Sequence, residues 1–581
     1  MKMMIKTTIL SLAAVLLAAT VMTARDYTKD VDVTVELQPQ VRAASRLDVA
    51  PRAIVRNFPH STLQYSGTAV VMPVTPMLPA IQPVGVNPIY TPSPYNGYLV
   101  AGYMPWGDFG VSAGYRLIGT ASTRLNAMTQ LNRNTYKGYM PFSDPSTDSR
   151  ARLSTTDFEL GIDLSQRAGA GLLTAATSLY LSHFNYPGGT MTPSTQNVSD
   201  YRLDAKWQST PDETLSRYDV EAGINRFGFG KACFPVGFGT PEHNPALAEF
   251  SWNVGASGQY MFTRQFGLGV SVSYKAASLN RRYVYMPGEA DFHNAGRNTR
   301  GVLSVGGAFR FVYDSFNGHI GPVVDFGTGD YNSTRTGAQG LISWNVSPYV
   351  VVYGTVESGT DLNALATLYD RSRYAAPLSA AGPSFLDGDL KGGFNIGPFR
   401  GLAVKLAGGF AKASHWALPV MADGVSTFAL GRLNTAYYCA SVEYERDRRF
   451  SVGAGIQGVV SNTTEHAYYK WTDRARFVID ARVTWRPIDE LTLEGGYELR
   501  ASRKISTVTT MQSDPTEPIV TEYGFLGLGR ISAGRVSVNY AFTEQLGAFV
   551  RIDGIGQGRY LLPSGMPGQR LRGLDGFSHK F

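Results

Sequence analysis

Residue patterns that could support catalysis are sparse in this sequence of 581 residues. Residues 110–114 read GVSAG and match the G-x-S-x-G pattern, in which a serine nucleophile sits on a sharp turn between a strand and a helix. Ser112 instead falls inside a run of alternating residues that predicts one continuous strand, so we expect no nucleophile there.

Metal and cofactor chemistry is also weakly supported. Glu242 and His243 are adjacent and could supply half of a metal site or of an acid–base pair, but soluble loops commonly carry such residues. The chain has 8 histidines and contains no H-E-x-x-H, phosphate-binding glycine loop or dinucleotide fingerprint in a supporting context. We therefore predict no catalytic residue, no metal and no cofactor.

A different set of residues could act on solutes. Charged side chains recur at alternate positions near residues 474–500, at Arg474, Arg476, Asp480, Arg482, Arg486, Glu494, Glu498 and Arg500. If they line a pore, they could bias which solutes pass, or they could stabilise one another across neighbouring strands. We favour the structural role and keep solute selection as the alternative.

Strict alternation places these charges on strands. Between them stands an apolar row, Ala475, Phe477, Ile479, Ala481, Val483 and Trp485. Adjacent side chains of a strand point to opposite faces, so one face is apolar and the other charged. The pattern recurs at 157–164, 201–208, 217–224 and 491–500, as expected of a membrane barrel with a lipid face and a lumen face. A soluble sandwich or propeller would also alternate, but it would not explain an export signal together with aromatic residues at strand ends.

The N-terminus predicts export. Residues 1–6 are positively charged, 7–22 are almost entirely apolar, and small residues follow at 23 and 24, which is the layout of a signal peptide. We expect cleavage after Ala24, a periplasmic or lumenal leader over 25–62, and a barrel over 63–581.

Composition agrees with a barrel and argues against a nucleic-acid partner. The chain has 63 Gly and 32 Tyr, and only 17% of its residues are charged, fewer than the roughly 25% of soluble domains. No apolar run after the signal is long enough for a spanning helix, so a closed barrel is the remaining way to satisfy the backbone in lipid. The net charge of +7 is spread along the chain among acidic residues. The partners we predict are outer-membrane lipid, the barrel-insertion machinery and a possible periplasmic or outer-membrane protein.

Turn signals give the strand count. Ten tight turns are predicted at 104–109, 165–171, 209–214, 262–265, 314–318, 346–349, 397–401, 445–449, 487–490 and 542–547. Longer stretches at 119–150, 227–245, 358–388 and 502–522 predict loops on the other side. Ten hairpins, a first strand at 66–74 and a last strand at 574–581 give about 22 strands, and about 16 to 20 remain open because boundaries are uncertain. Phe577 and Phe581 form the predicted C-terminal barrel signal.

The two cysteines, Cys233 and Cys439, lack metal-ligand spacing and could pair or stay free. The alternation places Cys439 on the lumen face and Cys233 in an outer loop.

Several segments resemble one family. They are the charged stretch 31–39, LQYS at 63–66, GYLVAGY at 97–103, LPSGMPGQR at 562–570 and LDGFSHKF at 574–581. Together they resemble the short TonB-dependent-receptor-like barrels of Bacteroidetes outer membranes. The resemblance implies a 22-strand barrel and, in full-length members, an N-terminal plug and a TonB-binding segment. Residues 25–62 are too few for such a plug. Residues 31–37 could serve as the TonB-binding segment or as an ordinary leader.

These features predict an all-β outer-membrane barrel that takes up or passes an unidentified solute. A lumen of this width would be an open hole, so we expect it to be closed by folded-in loops, by the leader or by another protein. The alternatives are a scaffold subunit that holds a partner at the outer membrane and a surface adhesin.

Overall fold

The computed structural model describes residues 95–581 except 105–106, 140–149, 187–190, 193, 210–215, 232, 236–245, 282, 285–292, 295, 377–381, 423, 447–448, 464–473 and 512–519. The predicted signal peptide, leader and first strand therefore lie outside the described residues. In the part of the chain that is described, no helix is both long and apolar enough to cross a membrane.

The described chain is almost entirely β-strand. In its first half the strands are β1 Gly97–Tyr103, β2 Phe109–Gly119, β3 Thr123–Tyr139, β4 Arg150–Ala168, β5 Gly171–Asn185, β6 Met191–Thr192, β7 Thr195–Ser209, β8 Ser216–Phe229, β9 Phe234–Pro235, β10 Leu247–Met261, β11 Phe266–Leu279, β12 Tyr283–Val284, β13 His293–Asn294 and β14 Asn298–Tyr313.

The second half continues with β15 Phe316–Gly329, β16 Thr334–Ser347, β17 Val350–Asp361, β18 Ser384–Phe399, β19 Leu402–Ala422, β20 Val425–Arg446, β21 Phe450–Thr463, β22 Phe477–Ile488, β23 Leu491–Ala501, β24 Lys504–Met511, β25 Val520–Gly527, β26 Ile531–Ala541, β27 Leu546–Ile555 and β28 Arg572–Lys580. Between β17 and β18 lies a short helix, α1, Leu365–Arg371.

Antiparallel pairing closes the sheet into a barrel of 22 strands, as predicted. The main sheet has 24 strands, but β24 and β25 form a hairpin that is not part of the ring. β24 pairs in parallel with the C-terminal end of β19. The ring closes where β1 pairs with β28, from Tyr98 opposite Lys580 to Tyr103 opposite Asp575. Two further pairs, β6–β9 and β12–β13, are small ribbons within the long connections.

The correct strand number contains two offsetting errors in the sequence analysis. The segment 119–150 was predicted to be a loop, but 17 of its residues form β3, which pairs with both β2 and β4. The predicted first strand at 66–74 is not needed for closure, because β1 pairs directly with β28. One strand was missed and one was added.

The two ends of the barrel differ. Ten short connections lie at the end that carries Phe581, which we call the turn end; the other end, the loop end, carries the long connections. The turn predicted at 104–109 is instead a connection at the loop end. The tenth short connection of the turn end is residues 120–122, where no turn was predicted. In outer-membrane barrels the short turns face the periplasm and the long loops face outward.

The outer surface is apolar in the way lipid requires. Alternate residues of β11, Leu268 and Val270, are 56% and 59% exposed. Large exposed aromatic side chains cluster beside the short connections, at Tyr260, Phe262, Tyr313, Tyr349, Phe399 and Phe542. Such a girdle marks a membrane–water interface.

Candidate functional site

The connection between β17 and β18 folds into the barrel. We call its described part, residues 362–376 with α1, the lumen loop. Counted around the closed ring, β17 is the thirteenth strand and β4 the fourth, so the two strands stand nine positions apart. Strands on opposite sides of a 22-strand ring stand eleven positions apart, so a contact between the lumen loop and β4 reaches nearly to the opposite wall. Arg373 of the lumen loop makes such a contact with Asp157 of β4. The lumen loop therefore crosses most of the width of the lumen.

The base of the lumen loop is held by a buried ion pair. Arg300 on β14 and Glu249 on β10 lie 2.7 Å apart, and their side chains are 4% and 2% exposed. Arg300 also donates to the backbone carbonyls of Leu362 at 2.7 Å and Asn363 at 3.1 Å. Glu249 accepts the amide of Leu365 at 2.8 Å, at the start of α1. The pair thus fixes the position where the loop enters the lumen.

Asn363 joins the two ends of the loop. Its side-chain nitrogen donates to the carbonyl of Gly382 at 2.7 Å and to the hydroxyl of Ser384 at 2.8 Å. Its φ of 49° lies in the left-handed region, which asparagine tolerates better than most residues. The backbone turns sharply here, from the end of β17 into the barrel.

The tip of the lumen loop is held by a second polar cluster. Arg373 donates to the Asp157 carboxylate at 3.1 Å and to the Tyr180 hydroxyl at 2.8 Å. Tyr180 and Ser182 both donate to the other oxygen of Asp157, at 2.9 and 2.6 Å. We call Asp157, Tyr180 and Ser182 the latch pocket.

Aromatic packing surrounds the latch pocket. Tyr369 of α1 packs against Phe184, Phe227 and Phe229 of the barrel wall, with ring centroids 5.3 to 6.2 Å apart. Tyr374 meets Phe184 edge to face at 5.4 Å. Aromatic pairs in these geometries each contribute about 0.5–1.5 kcal/mol beyond their buried area.

A second long connection, residues 556–571 between β27 and β28, joins the same apolar cluster through Tyr560, Leu562 and Met566. Tyr136 on β3 donates to the carbonyl of Pro567 at 2.9 Å. Side chains from both connections therefore form one buried cluster at the loop end.

Asp370, on α1, is the titratable group of interest in the lumen loop. It is exposed, but the surrounding barrel reduces its hydration, and Asp200 on β7 adds a negative charge. These effects outweigh the attraction of Arg202 and Arg373, and they raise the pKa of Asp370 to about 6. The closed position therefore favours the protonated carboxyl, so closure strengthens as the pH falls through 6.

Toward the turn end the lumen contains a cavity of about 1140 Å³. Of the charged residues predicted to face the lumen, the cavity is lined by Asp480, Arg482, Arg486, Glu494 and Glu498. Arg474 and Arg476 precede β22 and do not line this cavity, and Arg500 forms an ion pair with Glu498. A role in solute selection stays a prediction.

The strand register shows which of these charges meet. Asp480 lies opposite Glu498, and Thr484 lies opposite Glu494, so β22 and β23 do not oppose unlike charges directly. Charges of opposite sign instead meet on the other side of β22, where Arg482 lies 3.0 Å from Glu443 on β20. The intervening residue on β21 is Gly453, where a Cβ would lie 3.1 Å from the Arg482 side chain. Lys405 on β19 lies 3.7 Å from Glu443 and extends this ladder.

The remaining residues are the candidates for catalysis or metal binding and the two cysteines. Ser112 lies inside the continuous strand β2, as expected, whereas Glu242 and His243 lie outside the described residues. Among the described residues, no group of three or more His, Cys, Asp or Glu side chains could hold a metal ion. Both cysteines are free; Cys233 is buried in a long connection, and Cys439 is partly exposed on the row that contains Glu443.

The C-terminal aromatic residues lie at the seam of the barrel. Phe577 on β28 is 48% exposed, and Phe581 is 51% exposed. The carbonyl of Phe581 accepts the amides of Asn96 and Gly97, both at 2.8 Å, which ties the last residue to the start of β1. Their role as a signal for insertion stays a prediction.

Residues 358–388 were predicted as a long loop, and folded-in loops were one of the expected closures of the lumen. The helix α1 and the contacts of the lumen loop with the barrel wall were not predicted. A weak signal was present, because Leu365, Leu368 and Tyr369 stand at the i, i+3, i+4 spacing of an apolar helix face.

The fold defines the class of the protein. A closed antiparallel barrel of 22 strands, with an apolar outer surface, an aromatic girdle, short turns at one end and long loops at the other, is an outer-membrane β-barrel.

Comparison with solved structures agrees with this class. The siderophore receptor PirA from Acinetobacter baumannii has a TM-score of 0.61 and 8% identity, over 84% of this chain and 80% of that one. The FrpB iron transporter from Neisseria meningitidis, F3-3 variant, has a TM-score of 0.60 and 9% identity, over 84% and 81%. A mutant of the ferric enterobactin receptor PfeA from Pseudomonas aeruginosa, in complex with enterobactin, has a TM-score of 0.60 and 10% identity, over 84% and 81%.

These likenesses confirm the predicted TonB-dependent-receptor fold of the barrel. At such low identity they show the fold alone. No known protein family matches the sequence, and no curated protein is similar to it. A Bacteroidetes origin and the lack of a plug stay predictions.

Proposed function

We propose that this protein takes up a solute across the outer membrane, and that the lumen loop is the barrier that the solute must displace. The observation that carries the proposal is that the lumen loop crosses the lumen from β17 to β4, nine positions apart in the ring, with polar contacts at both its base and its tip. A loop confined to the rim would not bond to a buried ion pair of the wall at its base and form a second ion pair with a distant strand at its tip.

Two further observations support transport. The charged cavity toward the turn end offers room for water and a solute. The three similar structures are named as receptors or transporters, which favours transport over catalysis and over the scaffold alternative.

The test is single-channel conductance of the purified barrel in a planar bilayer. One variant replaces residues 365–374 with a Gly-Ser segment of equal length, a second lacks residues 25–62, and a third combines both changes. Heat-modifiable migration on a gel verifies that each barrel is folded.

We expect low conductance from the unaltered protein and large, long-lived openings from the loop variant. If only the leader deletion opens the barrel, the leader is the barrier and the lumen loop is not. If the combined variant is folded and remains silent, the lumen is no transport path and the proposal is wrong.

A further inference from the structure

The latch pocket is built to hold a guanidinium group. The Asp157 carboxylate is oriented by two hydroxyl donors on one oxygen, and its other oxygen accepts from Arg373. The Tyr180 oxygen accepts a second guanidinium N–H at 2.8 Å. A planar cation with several N–H donors matches such a pair of acceptors better than a lysine ammonium does.

The occupant of the latch pocket is supplied by the lumen loop itself. Arg373 also lies 5.7 Å from the Tyr369 ring, which adds a cation–π contact from α1. The wall contributes Asp157, Tyr180 and Ser182, and none of these residues belongs to the loop. If the tip moved away, the wall would keep a complete acceptor site without its cation.

The tip is more accessible than the base. Arg373 and Asp157 keep 14% and 11% of their side-chain surface exposed, whereas Arg300 and Glu249 keep 4% and 2%. Water and a small solute therefore reach the latch pocket more readily than the base. The tip is the contact that a solute can compete for first.

An unused donor lies beside the latch pocket. Asn132 on β3 stands opposite Asp157 in the strand register and is 4% exposed. Among the described residues its side-chain nitrogen has no hydrogen-bond partner. A buried donor without a partner costs about 1–3 kcal/mol. An acceptor such as a carbonyl oxygen on a bound solute would satisfy it.

We propose that the latch pocket is the recognition site for a solute that carries a guanidinium group and a nearby carbonyl, such as an arginine residue of a peptide, and that the solute opens the lumen by taking the place of Arg373. This proposal rests on the proposed function and names the substrate class of the same barrier. Opening follows because the solute binds only the state in which the tip has left.

The experiment uses N-acetyl-arginine amide as the probe and N-acetyl-citrulline amide as its neutral control of nearly the same shape. Probe binding is measured by calorimetry on the full-length protein, and opening is measured by single-channel recording. The variants are Arg373→Gln, which vacates the pocket, and Asp157→Asn, which removes its charge. The matched control is Asp163→Asn, on the same strand and row, where the carboxylate contacts Asn126 instead.

We expect the arginine probe to raise the open fraction of the unaltered protein about tenfold or more at saturation. The citrulline probe should have little effect. Arg373→Gln should open spontaneously and bind the arginine probe more tightly, because the probe no longer competes with the loop. Asp157→Asn should lose probe binding, and Asp163→Asn should behave like the unaltered protein.

The result that overturns the inference is equal affinity for the two probes, or no gain in affinity in Arg373→Gln. These outcomes are distinguishable from failure of the proposed function. If the proposed function fails, the variant that combines the replacement of residues 365–374 with the deletion of residues 25–62 is folded and silent, whatever the probes do.

Discussion

Replacing Arg300 by methionine should open the barrel. The substitution leaves the Glu249 carboxylate, 2% exposed, without its countercharge. Breaking a buried pair by removing one partner costs about 3–5 kcal/mol. The cost falls mainly on the closed state, because water reaches Glu249 once the lumen loop leaves. At 1.4 kcal/mol per factor of ten, the ratio of open to closed protein should rise by about 10² to 10³·⁵.

The assay is the open probability in single-channel recordings at fixed voltage, with a gel-shift test that each barrel is folded. A second substitution, Glu249→Gln, should reverse most of the effect when it is combined with Arg300→Met. The glutamine oxygen can still accept the Leu365 amide, and no unpaired charge is then buried. Such coupling between two contacting residues is what a double-mutant cycle measures.

The control is Glu443→Gln. Glu443 also pairs with an arginine, Arg482, at 3.0 Å, but the two side chains are 44% and 62% exposed. Exposed pairs contribute about 0–1 kcal/mol, and this pair does not touch the lumen loop. If folded Arg300→Met stays as closed as the unaltered protein, or if the double variant is as open as the single one, the Arg300–Glu249 pair does not hold the lumen loop closed.

Three further predictions concern single residues. Between about pH 4 and 6, closure of the unaltered protein should weaken as the pH rises, and Asp370→Asn should abolish this pH dependence. The measurement is the open probability against pH, and equal slopes in the two proteins would contradict the prediction. Gly321→Ala should lower the temperature at which the barrel unfolds on a gel, because its Cβ would lie 1.7 Å from the Gly307 carbonyl oxygen, whereas Gly307→Ala meets nothing within 4 Å and should have little effect. A maleimide should label Cys439 and leave Cys233 unmodified, because burial raises the pKa of the Cys233 thiol to about 12; labelling that persists in folded Cys439→Ser would show the opposite.

The barrel could be predicted because its two faces meet different solvents. On β22 an apolar residue faces lipid at alternate positions, and the interposed residues other than Val478 are polar. Nine of the ten short connections overlap turns predicted from the sequence. The tenth, residues 120–122, was missed because β3 has a weak pattern, with Asn126, Gln130 and Asn132 on one row and Thr129 and Arg133 on the other. Its register comes from pairing with β2 and β4, which no local pattern reveals.

The site could not be predicted for a related reason. The acidic and basic residues were visible, but their pairing depends on contacts between distant segments. Arg300 and Glu249 stand 51 positions apart, and Arg373 and Asp157 stand 216 apart. The closed ring brings them together, and the sequence contains no motif that links them.

The difference between the base and the tip determines where a path would open. The base contacts are the more buried, so release of Arg373 would free the tip while Arg300 still holds the loop near β14. The gap would then lie along β4 and β7. Beside the latch pocket the lumen row of these strands is acidic, with Asp157, Glu159 and Asp200 against Arg202. A path lined by carboxylates attracts cations, so the wall exposed by release carries the charge that a guanidinium-bearing solute requires.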